Sequence, residues 1–107
     1  MKKVFVIIPI LISFLMGNSY SDGYKLYKEA KKELRKGNDA KATTLFLEAK
    51  NKFSENKTSS QSLVMIAKFY CNGWGVDEDK NKAKLYLQKA QDFGLGIIPD
   101  KCLKNLK

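Results

Sequence analysis

The stretch from residue 62 to residue 94 constrains this chain most, because it has the pattern of two helices joined by a glycine turn. Ala67 and Tyr70 lie at helical spacing in its first half. Gly73 stands where the end of a helix favours a residue that tolerates a left-handed backbone. Asp79 is placed to cap a second helix, and small alanine side chains let the two helices approach closely. The apolar positions of the second helix are Ala83, Tyr86, Leu87 and Ala90, and Gly94 follows them.

The order and spacing of these residues resemble the Sel-one-like repeat, a helical repeat related to the tetratricopeptide repeat. The matching positions are Ala67, Tyr70, Gly73, Gly75 with Val76, Asp79, Ala83, Tyr86, Lys89 with Ala90, and Gly94. The resemblance implies a right-handed stack of helical hairpins with a binding role. It implies no particular ligand.

A related pattern precedes this one and predicts a first helical unit at about residues 23–54. Its first helix is expected over residues 24–36, and Asp39 is placed to cap the helix that follows. Small and apolar side chains recur at helical spacing in both helices. They are Leu26, Ala30 and Leu34 in the first helix, with Tyr24 and Tyr27 beside them, and Ala42, Leu45, Phe46, Ala49 and Phe53 in the second.

An internal offset supports two equivalent units, the second at about residues 60–94. The alanines at positions 42 and 49 recur 41 residues later, at positions 83 and 90. The polar segment 54–61 between the units is too short for an interdomain linker. We therefore expect one all-α domain over residues 22–107, built as a short right-handed α-α superhelix of two helix-turn-helix repeats.

The last segment, residues 95–107, is expected to form a C-terminal cap. A stack of only two units leaves an apolar end exposed, and a short terminal helix would cover it. Proline is favourable at the first position of such a helix. The apolar residues available for the contact are Leu95, Ile97 and Ile98, followed by Pro99 and Asp100 and then by Leu103 and Leu106.

The N-terminus has the layout of a secretory signal peptide, predicted over residues 1–21. Two lysines precede an apolar run over residues 4–16, and small residues follow, so cleavage is predicted between Ser21 and Asp22. The alternative is a permanent membrane anchor, but the run is short for a membrane span and contains Pro9. A short lysine-rich leader is typical of bacteria. The predicted location is therefore the periplasm or the exterior, without an anchor after cleavage.

The chain is strongly basic, with a formal net charge of +9, which becomes +7 when the two lysines of the leader are removed. Such a charge attracts anionic envelope polymers, lipid headgroups or an acidic protein surface. The alternative is an ordinary solvated surface, which the scatter of lysines along every predicted helix favours. Nucleic acid is not expected as a partner, because the chain carries no recognised nucleic-acid motif.

Cys71 and Cys102 are the two cysteines of the chain, and an even count in an exported protein favours a disulfide. The bond requires the tail to run back until the two α-carbons lie within about 7 Å. The alternative is two separately buried thiols. A cysteine-rich secreted group of Sel-one-like repeat proteins staples each unit with a cysteine pair, and some of its members are described as β-lactamase-like. This chain departs from that group, since Gln91 stands where the group has a cysteine.

Catalysis is not expected from this composition. The chain has no histidine, so it lacks the usual general base and metal ligand, and no metal or cofactor is predicted. Ser54 and Lys57 fit the serine–x–x–lysine pattern of serine β-lactamases, but the partner motifs are absent. In a chain rich in serine and lysine the pattern also arises readily by chance. A weak β-lactam-binding or β-lactam-hydrolysing protein is the alternative to a binding role without catalysis.

A binding role places the candidate surface on the first helix of each unit, which lines the inner face of a curved stack. That face would carry Tyr24, Lys28, Lys31 and Arg35 from the first unit and Lys68 from the second. Trp74, on the turn, either anchors a partner or folds back over its own helices. A basic face with tyrosines predicts an acidic protein or peptide partner in the cell envelope. Neutralisation of a secreted effector is a third hypothesis.

Overall fold

The computed structural model describes residues 19–96, 98 and 100–106, and the regular structure of this part is helical. Its five helices are α1 (Ser19–Arg35), α2 (Asp39–Ser54), α3 (Ser60–Asn72), α4 (Lys80–Asp92) and α5 (Lys101–Lys104). No strand occurs among the described residues, so the all-α prediction is confirmed. Most of the predicted leader, and Ile97 and Pro99 of the predicted cap, lie outside the described residues.

The helices pack as two hairpins, the first formed by α1 and α2 and the second by α3 and α4. Helix α2 lies against α3 and joins the hairpins, while α5 contacts both α3 and α4. Six alanines are at most 1% exposed, which lets the helix backbones approach closely. They are Ala30, Ala42, Ala49, Ala67, Ala83 and Ala90.

The buried face of α1 differs from the predicted one. Tyr27 is buried, whereas Leu34 is 42% exposed, so the predicted stripe through Leu34 is wrong. Leu34 lies on the same side of α1 as Ala30 but in the last turn of the helix, which ends at Arg35. Near the other end of α1, a Cβ at Gly23 would lie 3.0 Å from the ring of Phe53. The absence of a side chain at Gly23 lets the Phe53 ring pack against the helix.

The turn between α3 and α4 docks on α2, and two of its positions require glycine. Gly73 ends α3 with a φ of 71°, and Gly75 has a φ of 72°. A Cβ at Gly75 would lie 2.6 Å from the backbone nitrogen of Leu47, so a side chain there would push the turn away from α2. Asp79 caps α4 as predicted, since its carboxylate accepts a hydrogen bond from the Lys82 backbone N–H at 3.0 Å.

The turn between α1 and α2 is closed by polar side chains, and the predicted Asp39 cap is wrong. Asp39 is the first residue of α2, and Asn38 occupies the capping position without making a side-chain cap bond. The Asn38 side chain instead donates a hydrogen bond to Glu33 Oε1 at 2.7 Å. The ammonium groups of Lys36 and Lys41 lie 3.8 and 4.0 Å from Glu33 Oε2. We call these four side chains, of Glu33, Lys36, Asn38 and Lys41, the Glu33 latch.

The tail runs back along the second hairpin, and a disulfide joins Cys71 to Cys102. Their α-carbons lie 6.2 Å apart, within the range that such a bond needs. The Asp100 carboxylate caps α5 by accepting a hydrogen bond from the Leu103 backbone N–H at 3.2 Å. Leu103 is fully buried among side chains of α3 and α4, so α5 covers one side of the second hairpin. The other apolar residues of the tail packed there are Leu95, Ile98 and Leu106.

Candidate binding surface

An aromatic cluster joins α1 to α3 beneath the predicted binding face. Its centre is Tyr27 of α1, which is 9% exposed. The centroid of the Tyr27 ring lies 6.0 Å from that of Phe69 and 5.6 Å from that of Trp74. Ring pairs at such separations stabilise a contact beyond the burial of their area. These rings therefore bridge α1 and the second hairpin through their side chains.

Two lysines from different hairpins share the ring of Tyr27. Lys31 Nζ lies 5.6 Å from the Tyr27 centroid and 5.1 Å from the Trp74 centroid. Lys68 Nζ also lies 5.6 Å from the Tyr27 centroid. Neither ammonium group forms an ion pair with a carboxylate of the described residues. The two positive charges are therefore attracted to the rings beneath them, and neither lies within ion-pair distance of a carboxylate in that part of the chain.

The surroundings of Lys68 disfavour its positive charge. Burial lowers the pKa of Lys68, the ammonium of Lys31 lowers it as well, and the carboxylate of Asp100 opposes the shift. Lys68 is half-buried, and its Nζ also lies 3.9 Å from Met65 Sδ. An anion bound between the two ammonium groups would relieve their repulsion. Partly desolvated charges of this kind are typical of functional sites.

Tyr24 and Lys28 extend the same surface toward the start of α1. Tyr24 is 40% exposed, and the centroid of its ring lies 5.7 Å from that of Tyr27. Lys28 Nζ lies 5.3 Å from the Tyr24 centroid. Arg35, in contrast, is exposed at the end of α1, and the structure does not bring it to these rings. We call the surface formed by Tyr24, Tyr27, Lys28, Lys31, Lys68 and Trp74 the Tyr27 surface.

The indole of Trp74 packs on rings of α1 and α2 in the first hairpin and on a ring of α3 in its own hairpin. It stacks on the ring of Phe46, with centroids 5.3 Å apart and planes at 9°. It also meets the ring of Phe69 edge-on at 5.9 Å. Because Trp74 is only half-buried, part of it stays accessible beside Lys31. Trp74 is therefore a wall of the Tyr27 surface.

Tyr27 and Asp100 are the residues of this region that sequence reasoning missed. Tyr27 was placed beside the predicted face, although aromatic residues at positions 20, 24 and 27 form a readable helical row. Asp100 acts on Lys68 only because the tail runs back along α3, which no local pattern indicates. The first omission was avoidable, and the second required the tertiary structure.

The predicted cleavage site of the leader lies in the first turn of α1. Ser21 and Asp22 are both helical there, and Asp22 is the acidic residue of that turn. Tyr20 precedes them, and its ring lies 5.4 Å from that of Phe53 and 6.2 Å from that of Tyr24. Cleavage between Ser21 and Asp22 would therefore remove one ring from the aromatic row.

A small cavity of about 150 Å³ between the hairpins brings Ser54 and Lys57 together. The Ser54 hydroxyl donates a hydrogen bond to the backbone oxygen of Lys50 at 2.8 Å, as helix hydroxyls often do. The structure places no hydrogen bond between the side chains of Ser54 and Lys57. The remaining residues that line the cavity are Leu63, Ile66, Tyr86 and Lys89.

An open groove of about 650 Å³ follows the turn between α3 and α4, and its acidic residues are Asp77, Glu78 and Asp79. Across the described ranges, no group of three or more cysteine, aspartate or glutamate side chains is placed to hold a metal ion. In the same part of the chain, no helix has both the length and the apolar character needed to cross a membrane.

Comparison with known proteins identifies no relative of this chain. No protein-family model matches it, and neither the curated proteins nor the solved structures contain a significant match. The resemblance to the Sel-one-like repeat therefore depends on the residues and their spacing.

Proposed function

We propose that this protein is an exported helical-repeat protein of the Sel-one-like type, which binds an acidic protein or peptide in the bacterial envelope through the Tyr27 surface. The observation that carries the proposal is the pair of ammonium groups of Lys31 and Lys68. They lie over one tyrosine ring, and neither has an ion-pair partner among the described residues. A bound carboxylate would supply that partner.

The proposed repeat architecture is supported by burial at equivalent positions of the two hairpins. Alanines 42 and 49 of α2, and alanines 83 and 90 of α4, are all at most 1% exposed. Phe46 of α2 and Leu87 of α4 lie between them and are buried too. Two such hairpins, stacked one on the other, would form the start of a right-handed superhelix. Helices α1 and α3 would line its inner face. The Tyr27 surface lies on these two helices and on the turn that follows α3, which carries Trp74.

The chemistry of the surface fits an acidic peptide in two respects. The ammonium groups attract carboxylates, and a positive net charge steers an acidic partner toward the protein before contact. The rings of Tyr24 and Trp74 provide flat apolar area for side chains between the carboxylates. Tyrosine and tryptophan in such positions frequently dominate binding energy. We propose no catalytic step and no cofactor for this surface.

The proposed location is the periplasm or the cell exterior, after removal of residues 1–21. The Cys71–Cys102 disulfide is compatible with that location, since structural disulfides persist outside the reducing cytoplasm. The signal-peptide pattern of residues 1–21 also predicts export. The proposed mature protein would keep Tyr24 and the five lysine and aromatic residues that follow it in the Tyr27 surface.

The proposal can be tested with a fluorescein-labelled glutamate-rich peptide and the purified full-length chain. We expect saturable binding by fluorescence anisotropy, which weakens as salt is added. Reversing both central charges, in Lys31→Glu with Lys68→Glu, should weaken binding by about tenfold or more. The matched control is Lys84→Glu with Lys104→Glu, which makes the same change of net charge at exposed positions of α4 and α5.

Equal losses in the two double variants would contradict the proposal, because binding would then follow net charge and not the Tyr27 surface. Circular dichroism of both variants should show the same helical content as the unmodified protein. If the Lys31 and Lys68 variant retains full affinity, the proposed surface is wrong.

A further inference from the structure

The ammonium group of Lys80 lies directly against the disulfide. Lys80 Nζ is 3.2 Å from Cys102 Sγ and 3.7 Å from Cys71 Sγ. It also donates a hydrogen bond to the backbone oxygen of Cys71 at 3.0 Å, which fixes its position beside the bond. The carboxylate of Glu78 lies 3.4 Å from the same ammonium group. A cation this close to sulfur stabilises a thiolate there.

The two sulfur atoms differ in their accessibility. Cys71 is 1% exposed and is packed within the second hairpin, whereas Cys102 on α5 is only half-buried. A thiolate attacks a disulfide at one sulfur and expels the other. An attacking thiol can therefore reach Cys102, and the expelled sulfur is that of Cys71.

We propose that Cys102 is a site of reversible modification by low-molecular-weight thiols, and that Lys80 promotes the reaction. The thiolate of the small molecule attacks Cys102 Sγ and forms a new sulfur–sulfur bond with it. The bond between Cys102 and Cys71 breaks, and its electron pair leaves with Cys71 Sγ as a thiolate. The attacking thiol has lost its proton to water beforehand, so the products are a mixed disulfide at Cys102 and a Cys71 thiolate.

Lys80 acts at the step in which the bond breaks. The rate of exchange rises when the leaving sulfur is a more stable thiolate. The ammonium group lies beside Cys71 Sγ before the reaction begins, so it needs no rearrangement to stabilise the negative charge that develops there. Glu78 partly offsets this charge, because its carboxylate pairs with the same ammonium group. Lys80 therefore promotes the exchange by stabilising the leaving thiolate, and the carboxylate of Glu78 weakens this effect on the rate.

The modification would change how the tail is held. The disulfide is the covalent connection between α5 and α3, and Leu103 of α5 is buried among residues of the second hairpin. After exchange, α5 is retained only by noncovalent packing, of which Leu103 is the central contact. This inference does not rest on the proposed peptide binding.

The test uses glutathione and the full-length oxidised chain at fixed pH. The reaction is stopped with iodoacetamide, and peptide mass spectrometry locates the two modifications. We expect glutathione on Cys102 and carbamidomethyl on Cys71. We also expect Lys80→Met to react about fivefold more slowly than the unmodified chain, which is the effect of losing one charge at about 4 Å in water. Lys80→Arg should keep most of the rate, and Glu78→Gln should raise it.

The matched control is Lys82→Met, which loses the same charge but whose ammonium lies over the ring of Tyr70 and not beside the sulfurs. Its rate should equal that of the unmodified chain. Glutathione found on Cys71 would overturn the assignment of the attacked sulfur. A Lys80→Met rate equal to or above the Lys82→Met rate would overturn the role of Lys80. If Lys80→Met loosens the fold and so reacts faster than Lys82→Met, that result would count against the proposal.

Discussion

The first hairpin is closed by noncovalent polar contacts, whereas the second is closed by a covalent bond. The Glu33 latch joins the end of α1 to the start of α2 across a short turn. In the second hairpin, the longer turn is fixed by its contact with α2, and the Cys71–Cys102 bond ties α5 to the end of α3. The two hairpins have similar alanine seams but differ in what holds their ends.

The difference follows from what covers each hairpin. The first hairpin is covered by the second, because α2 lies against α3 and the ring of Trp74 packs on Phe46. The second hairpin is covered on one side by the tail, with Leu103 in its core. A helix of four residues buries little area, so a covalent link supplies the stability that its packing lacks. The bond therefore ties the tail to the second hairpin.

Removal of the disulfide should have the largest effect on stability and should act through the second hairpin. The bond closes a separation of 31 residues, for which chain entropy predicts a loss of about 3–4 kcal/mol in the variant Cys71→Ser with Cys102→Ser. For a chain of this size, that loss lowers the melting temperature by roughly 12–30 °C. Thermal unfolding followed by circular dichroism measures it. Unmodified protein treated with a reductant should melt like the variant, and a variant that melts like the oxidised protein would show that the bond is dispensable.

The two turns provide a second test, because each contains a glycine with positive φ but only one is in close contact. Gly75→Ala places a Cβ 2.6 Å from the backbone nitrogen of Leu47 and also retains an unfavourable φ. We expect it to cost about 2–3 kcal/mol, from strain and from movement of the turn off α2. Gly37→Ala has a φ of 86° but no atom within 4 Å, so it should cost only about 1 kcal/mol. Urea unfolding of the two variants compares them directly, and equal costs would show that the contact with α2 contributes nothing.

Much of this fold could be predicted because the determining residues are close together in sequence. Gly73 ends α3, Asp79 caps α4, and the buried alanines repeat at helical spacing, so each depends on a local pattern. The disulfide required an additional inference about the path of the tail. The cysteine count favoured it, but only the packing of Leu103 explains why the two α-carbons meet.

The errors came from features that helical spacing and residue type alone do not show. Leu34 has the spacing of a buried residue, but it lies in the last turn of α1 and is 42% exposed. Asp39 is a good capping residue by type, but α2 begins at Asp39 itself, one residue earlier than predicted. Asn38 therefore occupies the capping position, and its side chain bonds to Glu33. The candidate surface was predicted as a face, while its centre at Tyr27 depends on rings contributed by α3 and the following turn.

The smallest expected effect concerns the Glu33 latch and depends on pH. The hydrogen bond from Asn38 is the largest cause that lowers the pKa of Glu33 below its ordinary value of 4.5, and the ammonium groups of Lys41 and Lys36 add to it. The unfolded chain therefore binds this proton at a higher pH than the folded chain. It follows that the latch stabilises the fold fully above pH 4.5 and loses its contribution as the pH falls through the lowered pKa.

Glu33→Gln removes the titrating group, so the melting temperature of this variant should fall less steeply between pH 5 and pH 3 than that of the unmodified protein. The difference should be on the order of a few degrees. Glu29→Gln, at an exposed position of the same helix, makes the same change of charge outside the latch and should keep the full acid dependence. If both variants follow the same curve as the unmodified protein, the first hairpin owes its closure to packing, and the contrast with the second hairpin would lie in the disulfide alone.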